Sequence, residues 1–73
     1  MMQEYREYTD SYGHRAIAVG NAYNNGWKLT FLFGKYSYTM AFDNYAQMVR
    51  KRNATGSGWR ETGRWLATTY PTA

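Results

Sequence analysis

The run from Trp27 to Phe42, WKLTFLFGKYSYTMAF, constrains this chain more than any other stretch. Folded back at Gly34-Lys35, it sets Phe33 opposite Tyr36, Phe31 opposite Tyr38, Leu29 opposite Met40 and Trp27 opposite Phe42, because antiparallel partners keep a constant sum of positions. Side chains alternate along a strand. These eight large residues therefore share one face, and Lys28, Thr30, Leu32, Ser37, Thr39 and Ala41 share the other. One face is core and the other mostly wet. Gly34 suits the first loop position of a type II′ turn, which needs positive φ.

The flanking segments can be placed around this hairpin. His14 to Tyr23 reads as a strand, and Asn24-Asn25-Gly26 supplies turn residues that tolerate positive φ. With Asn25-Gly26 as a two-residue loop, Ala22 meets Leu29, Gly20 meets Phe31 and Ala18 meets Phe33, small residues against large. Ile17 and Val19 then join Leu32 on the second face. Beyond Phe42, Asp43 is a suitable N-cap, and Tyr45, Met48, Val49 and Arg52 recur at helical spacing. A helix from about Asp43 to Asn53 is expected across the aromatic face. Arg50, Lys51 and Arg52 fall in its last turn, where positive charge complements the helix dipole.

The small, polar run NATGSG ends that helix. A short strand is expected from Arg64 to about Thr69, stopped by Pro71, with Trp59 and Trp65 closing the core. Residues 1–13 carry Met1, Tyr5, Tyr8 and Tyr12 at helical spacing, yet tyrosine also favours strands and termini fray. This leader reads equally as a short helix or an irregular, flexible segment, with an edge strand as a competing alternative. The expected fold is one α+β domain over residues 1–73: a three-stranded antiparallel meander plus a short C-terminal strand, with one helix packed on the aromatic sheet face.

A chain of 73 residues buries only about 60% of the surface its unfolded form exposes, so the core must be small and aromatic. The absence of cysteine removes disulfides and thiolate metal sites from consideration. His14 is the one histidine, and neither GxxxxGK[ST] nor GxGxxG occurs. Asp43 reads as a cap and Glu61 sits among arginines. The expectation is therefore a protein that is not an enzyme, with no catalytic residue, cofactor or metal. No run approaches the ~18 apolar residues of a membrane span, and the N-terminus lacks the order of a signal peptide. A cytoplasmic location with no membrane partner is expected.

Charge is distributed unevenly. Arg6 against Glu4, Glu7 and Asp10 leaves residues 1–13 at −2, and eight Lys and Arg against Asp43 and Glu61 leave the remainder at +6. A basic body attracts anionic partners, nucleic acid or an acidic protein surface, in a salt-sensitive way. Basic and aromatic residues interleave, and cations hold phosphates while rings stack on bases. Tyrosine and arginine are also what protein interfaces favour. The candidate protein- or nucleic-acid-binding residues are Arg50, Lys51, Arg52, Arg60, Arg64, Lys28, Tyr23, Tyr5 and Tyr8. The chain is expected to be a monomer or a weak homodimer, the latter burying Ile17, Val19 and Leu32.

Two resemblances of build accompany these residues. AFDNYAQMVRKRN, with Phe42 ending a third strand and Asp43 opening a helix, resembles the junction of plant AP2 and integrase-type DNA-binding domains over roughly residues 14–53, without their dense arginines and tryptophans on the exposed sheet face. The order IAVGNAYNNGWKLTFLF, AFD, NATGSG resembles the small inhibitors that bacteriophages encode, anti-CRISPR proteins among them. The second resemblance implies a viral protein acting in the cytoplasm of a bacterial host cell, which blocks a host protein or nucleoprotein complex by occupying its acidic surface. The first implies direct binding of DNA or RNA.

Overall fold

The computed structural model describes residues 2–21 and 26–68. The chain forms β1 (Met2–Thr9), β2 (Arg15–Asn21), β3 (Trp27–Phe33), β4 (Tyr36–Phe42), α1 (Tyr45–Thr55) and β5 (Arg60–Thr68). The strands make one antiparallel sheet in the order β4-β3-β2-β1-β5, with four strands in a meander and the fifth beside the first. The fold is thus α+β, with one more strand than expected.

The hairpin of β3 and β4 has the expected register, Trp27 against Phe42 through Phe33 against Tyr36. Gly34 has φ of 62°, while among the described residues no non-glycine residue has positive φ, so Lys35 takes the second position of a II′ turn. Leu29 and Phe31 are fully buried, and Trp27 nearly so.

The register of β2 against β3 differs from expectation. Ala16 faces Phe31, Ala18 faces Leu29 and Gly20 faces Trp27. Small residues still oppose large ones, because the slip is four residues and so moves every partner two places along the same face, and alternation specifies only that parity. Contact with Trp27 is what distinguishes the two registers. A Cβ on Gly20 would lie 2.3 Å from Cε2 of the indole, so only glycine can stand beneath that ring. The same register overturns the two-residue loop expected at Asn25-Gly26, since Gly20 rather than Asn24 faces Trp27; Ala22 and Tyr23 lie outside the described residues.

Residues 2–9 form neither a helix nor a leader. β1 lies inside the sheet, paired with β2 on one side and β5 on the other. The three-residue step from Tyr5 to Tyr8, one turn of a helix, sends the two rings to opposite faces of a strand. Tyr8 enters the core at 1% exposure. Tyr5 faces the other side, stacked flat on Trp65 with centroids 5.5 Å apart. Pairing on both edges outweighs the helical spacing of the tyrosines.

α1 lies on the aromatic face over β3 and β4, with Met48 fully buried among Tyr8, Ala16, Ala18, Trp27, Leu29 and Phe31. Its N-cap is Asn44 rather than Asp43. The Asn44 Oδ1 accepts the Gln47 N–H at 2.9 Å, and the Gln47 Oε1 accepts the Asp43 N–H at 3.3 Å, a reciprocal arrangement like a capping box. The helix runs on through Asn53 to Thr55. Trp59 packs on the core with its ring 6.0 Å from Phe31. Trp65 does not; β5 turns it to the open face.

Candidate binding surfaces and the Asp10–His14 turn

The expected site residues part into separate places. Arg50 and Lys51 stand exposed on the outer flank of α1, beside Gln47, Ala54 and the half-buried Phe42. Arg52, one residue on, turns inward, and its guanidinium lies 4.6 Å from the centroid of the Tyr8 ring. That contact makes both Arg52 and Tyr8 structural. Tyr8, expected at a binding surface, lies beneath the helix. Burial raises its phenol above the ordinary range, and the Tyr45 hydroxyl adds to the shift from beyond hydrogen-bond geometry, with Arg6 and Arg52 opposing. The Tyr8 hydroxyl is buried with no hydrogen-bond partner.

Arg64 is also engaged. Its Nε meets Glu4 Oε1 at 2.8 Å, and the same oxygen accepts from Arg6 Nη2 at 2.9 Å. Arg6 reaches Glu61 at 3.6 Å, donates to the Tyr45 hydroxyl, and lies 4.6 Å from the Tyr45 ring centroid and 5.7 Å from that of Trp27. Desolvation opposes its charge, yet the hydrogen bond to Glu4 and the nearby Tyr45 and Glu4 outweigh it and hold Arg6 above its usual range. This network braces the start of α1 on the β1 side of the sheet.

The face opposite the helix is uncovered among the described residues. It carries Tyr5 and Trp65, half-buried Ile17 and Val19, Leu32, and the exposed Lys28. Arg15, also on this face, is paired with Glu7. Lys28 borders a hollow of about 440 Å³ with Gln3, Thr30, Thr39 and Ala41. Arg60 opens β5 opposite Thr9, exposed. Tyr23 lies outside the described residues. The nine expected residues do not form one site. Arg50 and Lys51 form one exposed unit; Lys28, Arg60 and Tyr5 belong to the other face.

Four of the five Asp and Glu side chains are held by basic side chains: Glu4 and Glu61 by arginines on the helix face, Glu7 by Arg15, and Asp10 by the His14 ring. Among the described residues Arg50, Lys51, Arg52, Lys28, Lys35 and Arg60 have no carboxylate partner, and of these Arg52 is turned inward onto Tyr8. The positive excess of the chain is therefore presented chiefly by the others.

One feature missed in the sequence is the turn Asp10–His14. The Asp10 carboxylate is almost fully buried, with Oδ1 accepting the N–H groups of Tyr12 at 3.0 Å and His14 at 2.7 Å, and Oδ2 lying 3.1 Å from His14 Nδ1. Burial would raise its pKa, but the His14 backbone and ring and the Tyr12 backbone outweigh this and hold it below the ordinary value. The His14 ring stands edge-on to Phe33 at 4.8 Å and borders a hollow of about 400 Å³ with Tyr12, Thr55 and Ser57. A carboxylate-oriented imidazole is an arrangement that general-base chemistry uses, but here, among the described residues, its one hydrogen bond is to Asp10 and no serine or threonine hydroxyl meets the ring. Its evident work is to close the turn, which the Ser11 N–H and hydroxyl then tie to the Ser57 carbonyl at 2.8 Å each. The signal was present as an Asp three residues before Gly13-His14, a side chain suited to cap its own turn.

Among the described residues there is no group of three or more His, Cys, Asp or Glu that could hold a metal, and no helix long and apolar enough to cross a membrane. No protein-family model, curated protein or solved structure matches this chain.

Proposed function

We propose that this chain is a small non-enzymatic binding protein, an inhibitor of the phage type that resembles anti-CRISPR proteins and acts by occupying an acidic surface of a host protein or nucleoprotein complex. The observation that carries the reading is the division of charge. Four of the five acidic side chains are engaged within the fold, and Arg50 and Lys51 stand adjacent, exposed and, among the described residues, without ion pairs on the outer flank of a helix whose inner side is anchored by Met48 and Arg52. A rigid element presenting free cations suits docking on a negative patch, where charge sets encounter rate and orientation. Such an inhibitor works where its target works, in the bacterial cytoplasm.

The test is phage plating on a bacterium whose CRISPR–Cas system restricts that phage. Expression of the chain should restore plaques, and the double change Arg50→Ala with Lys51→Ala should abolish the restoration while leaving the circular dichroism spectrum intact. Restriction unchanged across several system types would sink the inhibitor reading.

A second reading, direct binding of nucleic acid, is favoured by the flat Tyr5–Trp65 stack on the uncovered face, which has Lys28 and Arg60 on the same side and leaves Trp65 43% exposed. Exposed rings with nearby cations form stacking platforms for single strands. Fluorescence titration of Trp65 with an oligonucleotide at rising salt separates the two readings. Affinity that falls steeply with salt supports the second, and no binding at low salt removes it.

A further inference from the structure

β4 is the outer strand on one side of the sheet, and it lacks the devices that keep sheet edges apart. Edges are ordinarily blunted by charges, proline or a bulge. The other edge has them: β5 carries Arg60, Glu61 and Arg64, and its register against β1 shifts between Glu7 and Tyr8. β4, YSYTMAF, has no charge and no proline and pairs regularly with β3 along its whole length. Tyr36 is 78% and Tyr38 44% exposed. The charges stand just outside the strand, Lys35 before it and Asp43 after it. Neither has a side-chain partner of opposite or basic character among the described residues, and Asp43 is the one Asp or Glu of which this is true.

We propose that β4 pairs antiparallel with β4 of a second copy of this chain, about a two-fold axis through Thr39. In that register Thr39 faces its own counterpart, and Tyr38 meets Met40, Ser37 meets Ala41, Tyr36 meets Phe42 and Lys35 meets Asp43 of the second copy, each twice. The backbone permits this centre, and the length of the overlap favours it. A two-residue loop closes on a pair that exchanges both hydrogen bonds, here Phe33 and Tyr36, and such pairs alternate along the ladder. Tyr36, Tyr38, Met40 and Phe42 therefore bond inward to β3, leaving the N–H and C=O groups of Ser37, Thr39 and Ala41 directed outward. An axis through Thr39 brings those outward groups together. An axis through Tyr38 or Met40 also joins outward groups, but it shortens the overlap and puts Lys35 opposite Ala41 or Asp43 opposite Ser37, and one through Ser37 or Ala41 shortens it further and puts Lys35 or Asp43 opposite a threonine.

The side chains complete the match. On the helix side the seam is Tyr36 against Phe42 and Tyr38 against Met40, apolar or aromatic throughout. On the other side, Thr39 already meets Thr30 hydroxyl to hydroxyl at 2.8 Å, and the pairing continues that row across the axis. The interface is isologous and closes at two copies, so it gives a dimer with a continuous sheet rather than a filament.

Sedimentation equilibrium of the full chain from micromolar to millimolar concentration is the test, with circular dichroism reporting the fold. The wild type should show a concentration-dependent dimer. Thr39→Pro removes an outward N–H and no backbone bond to β3, giving up only the exposed hydroxyl contact with Thr30, and should give a folded monomer. Lys35→Asp or Asp43→Lys alone places like charges opposite one another twice and should weaken the dimer about tenfold, and the two together should restore it. A wild type that stays monomeric overturns the proposal. So does a dimer indifferent to Thr39→Pro in a folded chain, or a double exchange no better than either single one. Should Thr39→Pro unfold the chain, the charge exchange outside the ladder decides alone.

Discussion

The Arg52 guanidinium lies 4.6 Å from the centre of the Tyr8 ring, so a cation from the helix and an aromatic from the first strand hold each other in place. Arg52 should then behave unlike its two basic neighbours. Replacing it with alanine should cost about 1–2 kcal/mol, the range for a partly desolvated cation–π contact, whereas Arg50→Ala and Lys51→Ala should each stay within about 0.5 kcal/mol. Urea denaturation of the three variants measures this directly.

The same ring carries a buried hydroxyl without a hydrogen bond. Tyr8→Phe removes a desolvated polar group and should leave stability unchanged or raise it by about 1 kcal/mol. Tyr8 also ionises above its ordinary value of 10.0. A phenol raised in the folded state contributes stability below its unfolded pKa that is lost as pH rises through the folded value. Tyr8→Phe should therefore lessen alkaline unfolding, read from the midpoint of a pH titration above pH 10.

Gly20 has the indole of Trp27 where a side chain would begin, with three ring atoms within 2.6 Å of an added Cβ. Gly20→Ala should destabilise by about 1–3 kcal/mol through overpacking. With Trp27 first reduced to leucine, the added methyl should cost much less. A double-mutant cycle in denaturant would expose that coupling, and additive losses would show that the close approach is not what Gly20 provides.

Asp10 is held below its ordinary value of 3.8, so the unfolded chain binds its proton at higher pH than the folded one. The stability it contributes is present above the unfolded pKa and is lost as pH falls through the lower, folded one. Thermal midpoints should fall in acid below about pH 4, and Asp10→Asn should flatten that limb while lowering stability at neutral pH. An unchanged acid limb in Asp10→Asn would assign it to other carboxylates.

The central hairpin was legible because Gly34 sets the loop and eight large residues set the face; both signals are local. Register between β2 and β3 was legible only to parity, since Ala16, Ala18, Gly20 and Ala22 are interchangeable small residues until the size of Trp27 is set against the lack of a Cβ. β1 was obscured by a spacing that suits a helix and by pairing partners more than fifty residues away in β5. The site residues were legible as a composition, not as a constellation: nothing in RKR tells which cation turns inward, because that depends on where Tyr8 goes. Asp43 and Asn44 are both good caps, and Gln47 decides between them.

The seam between β1 and β5, with Met2 opposite Thr68, joins the two ends of the described chain, while every other strand pairing is between neighbours in sequence. Loop closure for the meander is short and cheap in entropy, and for this one ladder it is long. Folding should accordingly proceed from the hairpins outward, with β5 zipping onto an already formed sheet as the late, rate-limiting event. Until it does, β1 is a second bare edge, and the growing sheet is open to pairing on both sides at once.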